Sequence, residues 1–359
     1  MNETNNQLWA KGDLIGGRYE VLKVMKGGMG IVYVVKDHNY SSETGLPEVL
    51  IAKCLRPDLA VIQSLRMRFK QEAALWLQLK PYRNVVRAYY VESIFDTPYI
   101  FADYVEPGYL PNTLAEWIYR KITPPEVALC LLFQIIDGLW DTSFDNIALH
   151  GDLKPSNILI DKTCTVKVTD WGLSHATETE IEEFKRKGPY NNSESGSQIT
   201  FSNHGTPGYA APELSSNKLQ PTRAVDIFSL GVIFGEMLTG RIFPKDASIQ
   251  RVEETLRFCF ALDSETRLVF AKIISEFVGS DPELRMKNYK ENISLLVQTF
   301  KRMTGLRMRP PRDDSYVHDP IRAERIASSM RELDISVKKI RAFGEKILSV
   351  EYSNNKGED

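Results

Sequence analysis

His150-Gly-Asp-Leu-Lys-Pro-Ser-Asn157 is the stretch on which the reading of this chain turns. Between Asp152 and Asn157 it gathers a carboxylate, an ammonium and an amide on a loop stiffened by Pro155. A carboxylate there can orient a hydroxyl and accept its proton, and an ammonium can neutralise phosphate charge. An amide oxygen can ligate a hard cation. By itself, such a turn is also what a solvated polar loop looks like.

Working outward, Ile158-Leu-Ile reads as a short strand, and Lys167-Val-Thr-Asp170-Trp-Gly carries a second carboxylate to a strand end. Asp170 and Asn157 together make an oxygen-rich set suited to Mg²⁺. Towards the N-terminus, two β-rich runs, Arg18–Val24 and Ile31–Val35, flank Lys26-Gly-Gly-Met-Gly30, a hairpin whose glycines let backbone N–H groups approach an anion. A third strand, Glu48–Cys54, delivers Lys53 after the apolar run Val49-Leu-Ile-Ala. A lysine at the end of a buried strand needs a counter-charge. Glu72, on a helix read over Val61–Leu79 from apolar residues at three-to-four spacing, is its natural partner. Val85–Val91 and Tyr99–Tyr104 read as two more strands; after Gly108 the pattern turns helical, with amphipathic stretches at Thr113–Arg120, Pro124–Thr142 and Arg223–Leu238.

The bulk numbers frame these motifs. With 359 residues, 43% hydrophobic, 26% charged and a formal net charge of −2, the chain suits a two-lobed globular unit with an extension. That balance advertises no nucleic acid and no anionic membrane surface. Cys54, Cys130, Cys164 and Cys259 form no CxxC pair, which points to a reducing, cytoplasmic setting. No apolar run approaches the roughly 18 residues of a membrane span, and the polar start Met1–Asn6 is not a signal peptide.

The joint order of the motifs resembles the eukaryotic-like Ser/Thr protein kinase catalytic domain, in its bacterial form, from about Arg18 to Phe300. A glycine loop, a strand lysine, a helix glutamate, the His150–Asn157 loop, Asp170-Trp-Gly and Gly205-Thr-Pro-Gly-Tyr-Ala-Ala-Pro-Glu213 follow one another as in that family. Asp226-Ile-Phe-Ser-Leu-Gly and Asp281-Pro-Glu-Leu-Arg285 extend the match. The resemblance implies an α+β, bilobal kinase fold: a small β-rich N-lobe with one key helix over 15–105 and a larger mostly helical C-lobe over 106–302; beyond it, the basic, Pro-containing run and the near-heptad apolar spacing read as a linker and a C-terminal amphipathic helix over 303–359. It implies ATP and Mg²⁺, with Mn²⁺ as an alternative, and a protein substrate phosphorylated on Ser or Thr.

Carried over by residue, it implies that Gly27, Gly28 and Gly30 cover the phosphates. Val32, Ala52 and Leu159 enclose the base, Asp103 and Val105 offer backbone groups to the adenine edge, and Ala102 is a small residue at the back of that pocket. Lys53, held by Glu72, contacts the α- and β-phosphates. Asp152 positions the acceptor hydroxyl, Lys154 steadies the transferring phosphoryl, and Asn157 and Asp170 hold the metal. Glu213 is expected to clamp Arg285, and Asp226 to brace the catalytic loop. Lys154 and Thr206 match Ser/Thr rather than tyrosine kinases.

Three positions depart from the family pattern. Met25 stands where a first loop glycine is usual, Trp171 replaces a phenylalanine, and Gly151 replaces an arginine that pairs with an activation-loop phosphate. The last departure favours a constitutive or partner-driven switch. The polar stretch from Ser174 to Ser202 reads either as a plain flexible loop or as one that offers Thr177, Thr179, Ser193, Ser195, Ser197, Thr200 and Ser202 as autophosphorylation sites. Ile326, Met330, Leu333, Val337, Ile340 and Ile347 mark the last helix, which either packs on the body or joins a second copy or a regulatory partner. Two other readings stand beside an active kinase. One is a pseudokinase scaffold that binds nucleotide without transfer; the other, a small-molecule phosphotransferase, would lack Ala211-Pro-Glu213.

Overall fold

A computed structural model describes residues 8–121, 123–142, 149–171, 206–215, 222–258 and 262–306. The stretch from Ser174 to Ser202 and the C-terminal helix expected beyond residue 306 lie outside the described residues. The chain divides into two compact units, the first comprising Met1–Pro81, Val86–Tyr104 and the segment that starts at Asp170, the second comprising Tyr82–Val85, Val105–Thr169 and the chain from Thr206.

The first unit is built on six strands: β1 (Leu14–Ile15), β2 (Tyr19–Lys26), β3 (Gly30–Asp37), β4 (Val49–Leu55), β5 (Ala88–Ile94) and β6 (Thr97–Asp103). They pair in the order β1-β2-β3-β4-β6-β5, every pairing antiparallel. Alternation sorts their side chains. Ile31, Tyr33 and Val35 of β3 and Leu50, Ala52 and Cys54 of β4 join Ile15, Tyr19, Tyr99 and Phe101 in one buried apolar cluster. Lys53 therefore faces the other way. After β4 come α1 (Pro57–Ala60) and α2 (Gln63–Gln78). Leu65, Phe69, Ala73 and Trp76 recur along α2 and are buried, as the expected stripe requires.

Strand β5 sits about three residues later than the expected Val85–Val91, while β6 falls close to the expected Tyr99–Tyr104. The apolar pair Val85-Val86 is spent elsewhere: Val85 bridges to Val168, and the Val86 carbonyl accepts the Trp76 indole N–H at 2.8 Å. The turn itself is Phe95-Asp96, both at positive φ (49° and 61°).

The second unit holds α3 (Leu114–Tyr119), α4 (Pro125–Thr142), the two-stranded ribbon β7 (Ile158–Ile160) and β8 (Val166–Val168), then α5 (Ala224–Thr239), α6 (Ile249–Leu256), α7 (Ser264–Phe277) and α8 (Pro282–Thr304). Helices α4 and α5 are buried around nearly their whole circumference, which makes them the core of this unit. At Gly231 of α5 an added Cβ would lie 2.4 Å from the Phe277 Cβ, so the glycine is what lets α7 come this close. Helix α8 starts at an Asp281 cap followed by Pro282 and stops at Gly305 with φ 70°.

Candidate active site

In the first unit the register pairs Val32 of β3 with Lys53 of β4, so these two side chains share a face. On the same face lie Ile51, two residues before Lys53, and Ala102, which pairs with Ile51 across β4 and β6. The expectation for Ala52 is corrected here. Its side chain is wholly buried in the apolar cluster on the opposite face, because neighbours along a strand point to opposite sides. Ile51 has the placement that was assigned to Ala52, and counting by twos from Lys53 would have found it.

Lys53 is only 6% exposed. Its ammonium donates to Asp170 Oδ1 at 2.8 Å and to Glu72 Oε1 at 3.3 Å, with the Trp76 ring 5.8 Å away. Burial alone would pull this ammonium's pKa down; the charges of Asp170 and Glu72 more than offset it and leave it raised. Asp170 takes a left-handed backbone conformation (φ 64°), which aspartate tolerates better than most residues.

The glycine turn is closed by a bond from the Gly27 N–H to the Gly30 carbonyl at 2.9 Å. A Cβ on Gly30 would meet the Cys54 carbonyl oxygen at 2.9 Å, while at Gly28 nothing lies within 4 Å. Asp103 ends β6, and its N–H is bonded to the Arg87 carbonyl at 2.9 Å.

In the second unit, the loop His150–Asn157 hangs on Asp226, whose carboxylate accepts the N–H groups of His150 (2.7 Å) and Gly151 (3.0 Å). Gly151 sits at φ 81°, a conformation glycine adopts at no steric cost. His150 Nδ1 accepts the Asp152 N–H at 3.3 Å, which leaves Nε2 to donate to the Thr169 carbonyl at 2.9 Å. The Asp152 carboxylate is thereby presented to two partners. Oδ2 meets the Lys154 ammonium at 2.7 Å; Oδ1 accepts both the hydroxyl (2.8 Å) and the N–H (3.0 Å) of Thr206. Lys154 also donates to Thr206 Oγ1 at 2.8 Å.

Asn157, buried in a 3₁₀ turn, donates its Nδ2 to the Asp152 carbonyl at 2.9 Å, which commits its nitrogen and leaves an oxygen as the donor to any cation. Val105 is buried and Leu159 half-buried in this unit. Glu213 pairs with the wholly buried Arg285, whose Nε also donates to the Ala224 carbonyl at 3.0 Å.

Of the residues singled out in the sequence, the first unit thus brings together Lys53, Glu72 and Asp170, and the second Asp152, Lys154 and Asn157. Thr206 was read as a marker of substrate type; the structure adds it to the second cluster. No group of three or more His, Cys, Asp or Glu side chains among the described residues could cage a metal. No described helix is long and apolar enough to cross a membrane.

A six-stranded antiparallel sheet bearing a lysine–glutamate pair, and a helical unit bearing an Asp-x-Lys loop hung on a buried aspartate, define a protein kinase domain. The chain belongs to that family, whose model matches residues 20–298. It is 33% identical over 235 residues to the serine/threonine-protein kinase PrkC of Bacillus subtilis, covering 64% of this chain and 32% of that protein. It is 30% identical over 298 residues to the serine/threonine-protein kinase PknD of Chlamydia muridarum, covering 76% and 30% respectively. The chain spans about a third of the length of the curated relatives it matches. The family uses ATP and a divalent metal, usually Mg²⁺, and acts on protein substrates.

Proposed function

We propose that the chain is an active kinase that moves the γ-phosphoryl group of ATP onto Ser or Thr hydroxyls of a protein. One observation carries this reading: Asp152 already accepts a hydrogen bond from an alcohol, the Thr206 hydroxyl at 2.8 Å, with the Lys154 ammonium bonded to both. An acceptor serine or threonine needs the same carboxylate to align its hydroxyl and, late in transfer, to take its proton. The new O–P bond forms as the β–γ bridge breaks and ADP leaves. Little covalent chemistry falls to the protein, so position and charge supply most of the acceleration.

In this reading Gly27, Gly28 and Gly30 give backbone donors to the phosphates, and Lys53, pre-aimed by Glu72, meets the α- and β-phosphates. Val32 and Ile51 enclose the base with Leu159, and Asp103 and Val105 present their backbone to the adenine edge. Asn157 and Asp170 supply oxygens to Mg²⁺ or Mn²⁺, and the bound ion would offset charge on the phosphates. Residues 15–105 and 106–302 act as the two lobes, and 303–359 as a regulatory or dimer-forming extension.

The test is transfer from radiolabelled ATP to a generic basic protein in Mg²⁺. The wild type should label it, and Lys53→Met, Asp152→Asn and Asp170→Ala should each lose at least a hundredfold, roughly, in rate. Nucleotide binding without transfer by the wild type would make the chain a scaffold instead. Autophosphorylation between Ser174 and Ser202 is checked by mass spectrometry after incubation with ATP. Equal phosphate content in wild type and Asp152→Asn rejects it.

A further inference from the structure

Two adjacent tyrosines on one strand should point to opposite faces, yet Tyr89 and Tyr90 of β5 both pack against the same apolar cluster. A β-bulge explains this. Ala88 pairs with Ala102 and Tyr90 with Phe101, so Tyr89 is the extra residue and is turned back to the face its neighbour occupies. That turn sets its hydroxyl 2.6 Å from Asp103 Oδ1. The other oxygen of Asp103 accepts the Arg87 N–H at 3.3 Å, and the Arg87 guanidinium lies 4.8 Å above the Tyr89 ring. Asp103 pairs with Leu50, so its side chain leaves the sheet on the face opposite Lys53.

We propose that Tyr89 is a positioning residue for nucleotide binding: by holding the Asp103 carboxylate on the far face of the sheet, it fixes the strand-end backbone that meets the adenine edge. The inference rests on the adenine-edge role given to Asp103 above. The observations favour a dedicated tether over mere filling of the core. Tyr90 fills core: its ring stacks on Phe101 with centroids 4.8 Å apart, and its hydroxyl lies 3.2 Å from that of Tyr19. Tyr89 departs from the regular ladder and directs its hydroxyl to one carboxylate. Burial and that carboxylate both raise the Tyr89 pKa, so the phenol stays protonated and able to donate.

The experiment is titration of the full chain with a fluorescent ATP analogue, paired with steady-state kinetics in ATP and peptide, for wild type, Tyr89→Phe, Tyr90→Phe, Asp103→Ala and the Tyr89→Phe/Asp103→Ala double variant. Tyr89→Phe should weaken nucleotide affinity and raise the KM for ATP by about threefold to tenfold. Its kcat and peptide KM should stay at wild-type values. Tyr90→Phe, which removes a hydroxyl from the same cluster, should leave nucleotide affinity unchanged. Adding Tyr89→Phe to Asp103→Ala should change nothing further, because the tether is already gone. If Asp103→Ala does not fold, Asp103→Asn takes its place in the cycle, and the Tyr89→Phe effect should shrink in that background.

Unchanged affinity in Tyr89→Phe, an equal loss in Tyr90→Phe, or the same loss with and without the Asp103 substitution would each overturn the tether. Failure of the wild type to bind the analogue at all would instead overturn the nucleotide-binding reading, and the tether with it.

Discussion

Gly28 and Gly30 are chemically identical and two residues apart, but only one has no room for a side chain. A Cβ at Gly30 would strike the Cys54 carbonyl at 2.9 Å, and one at Gly28 would strike nothing. Gly30→Ala should therefore destabilise the first unit by about 1–3 kcal/mol and raise the KM for ATP, while Gly28→Ala should cost less than about 1 kcal/mol. Chemical denaturation of the two variants side by side checks this. Sequence order alone does not separate these glycines, because the difference lies in a strand brought next to one of them by pairing. Lys53 and Glu72 were legible for the opposite reason: a charge at the end of an apolar run must be answered, and the helix offered one well-spaced carboxylate. Ala52 faces the apolar cluster because the two-residue period of a strand, and not the order of a motif, decides which side chains face together.

Among the elements, α5 shows how a helix can be legible while its packing is not. Its apolar sequence announces burial, but Gly231 announces only a weak helix former. Its purpose appears with α7: an added methyl would sit 2.4 Å from the Phe277 Cβ. Gly231→Ala should lower the unfolding free energy by about 1–3 kcal/mol despite alanine's better helix propensity, read as an earlier urea midpoint. The end of β5 and the start of β6 escaped for a related reason. The turn between them uses Phe95 and Asp96 at positive φ rather than the glycine or asparagine that usually signals one, so nothing local placed the boundary.

For the molecule as a whole, acid stability should follow one ion pair in the first unit. Arg18 grips both oxygens of the buried Asp37, at 2.8 and 2.7 Å, and holds its carboxyl below the ordinary aspartate value. A depressed carboxyl contributes stability above the unfolded value, about pH 4, and loses it as pH falls through the folded one. Asp37→Asn should thus be less stable at neutral pH by about 2 kcal/mol and show a shallower decline below about pH 4, measured as melting temperature against pH. The ion cluster at Lys53 has an optical consequence as well. Trp76 is wholly buried, with its indole 5.8 Å from that ammonium and its N–H fixed on Val86. An indole's excited state is strongly dipolar, so the colour of its emission follows the local electric field. If the proposed reading holds and a nucleotide's negative charge comes to rest beside Lys53, titration with ATP should shift the tint of the protein's own ultraviolet glow, and an unchanged emission would count against it.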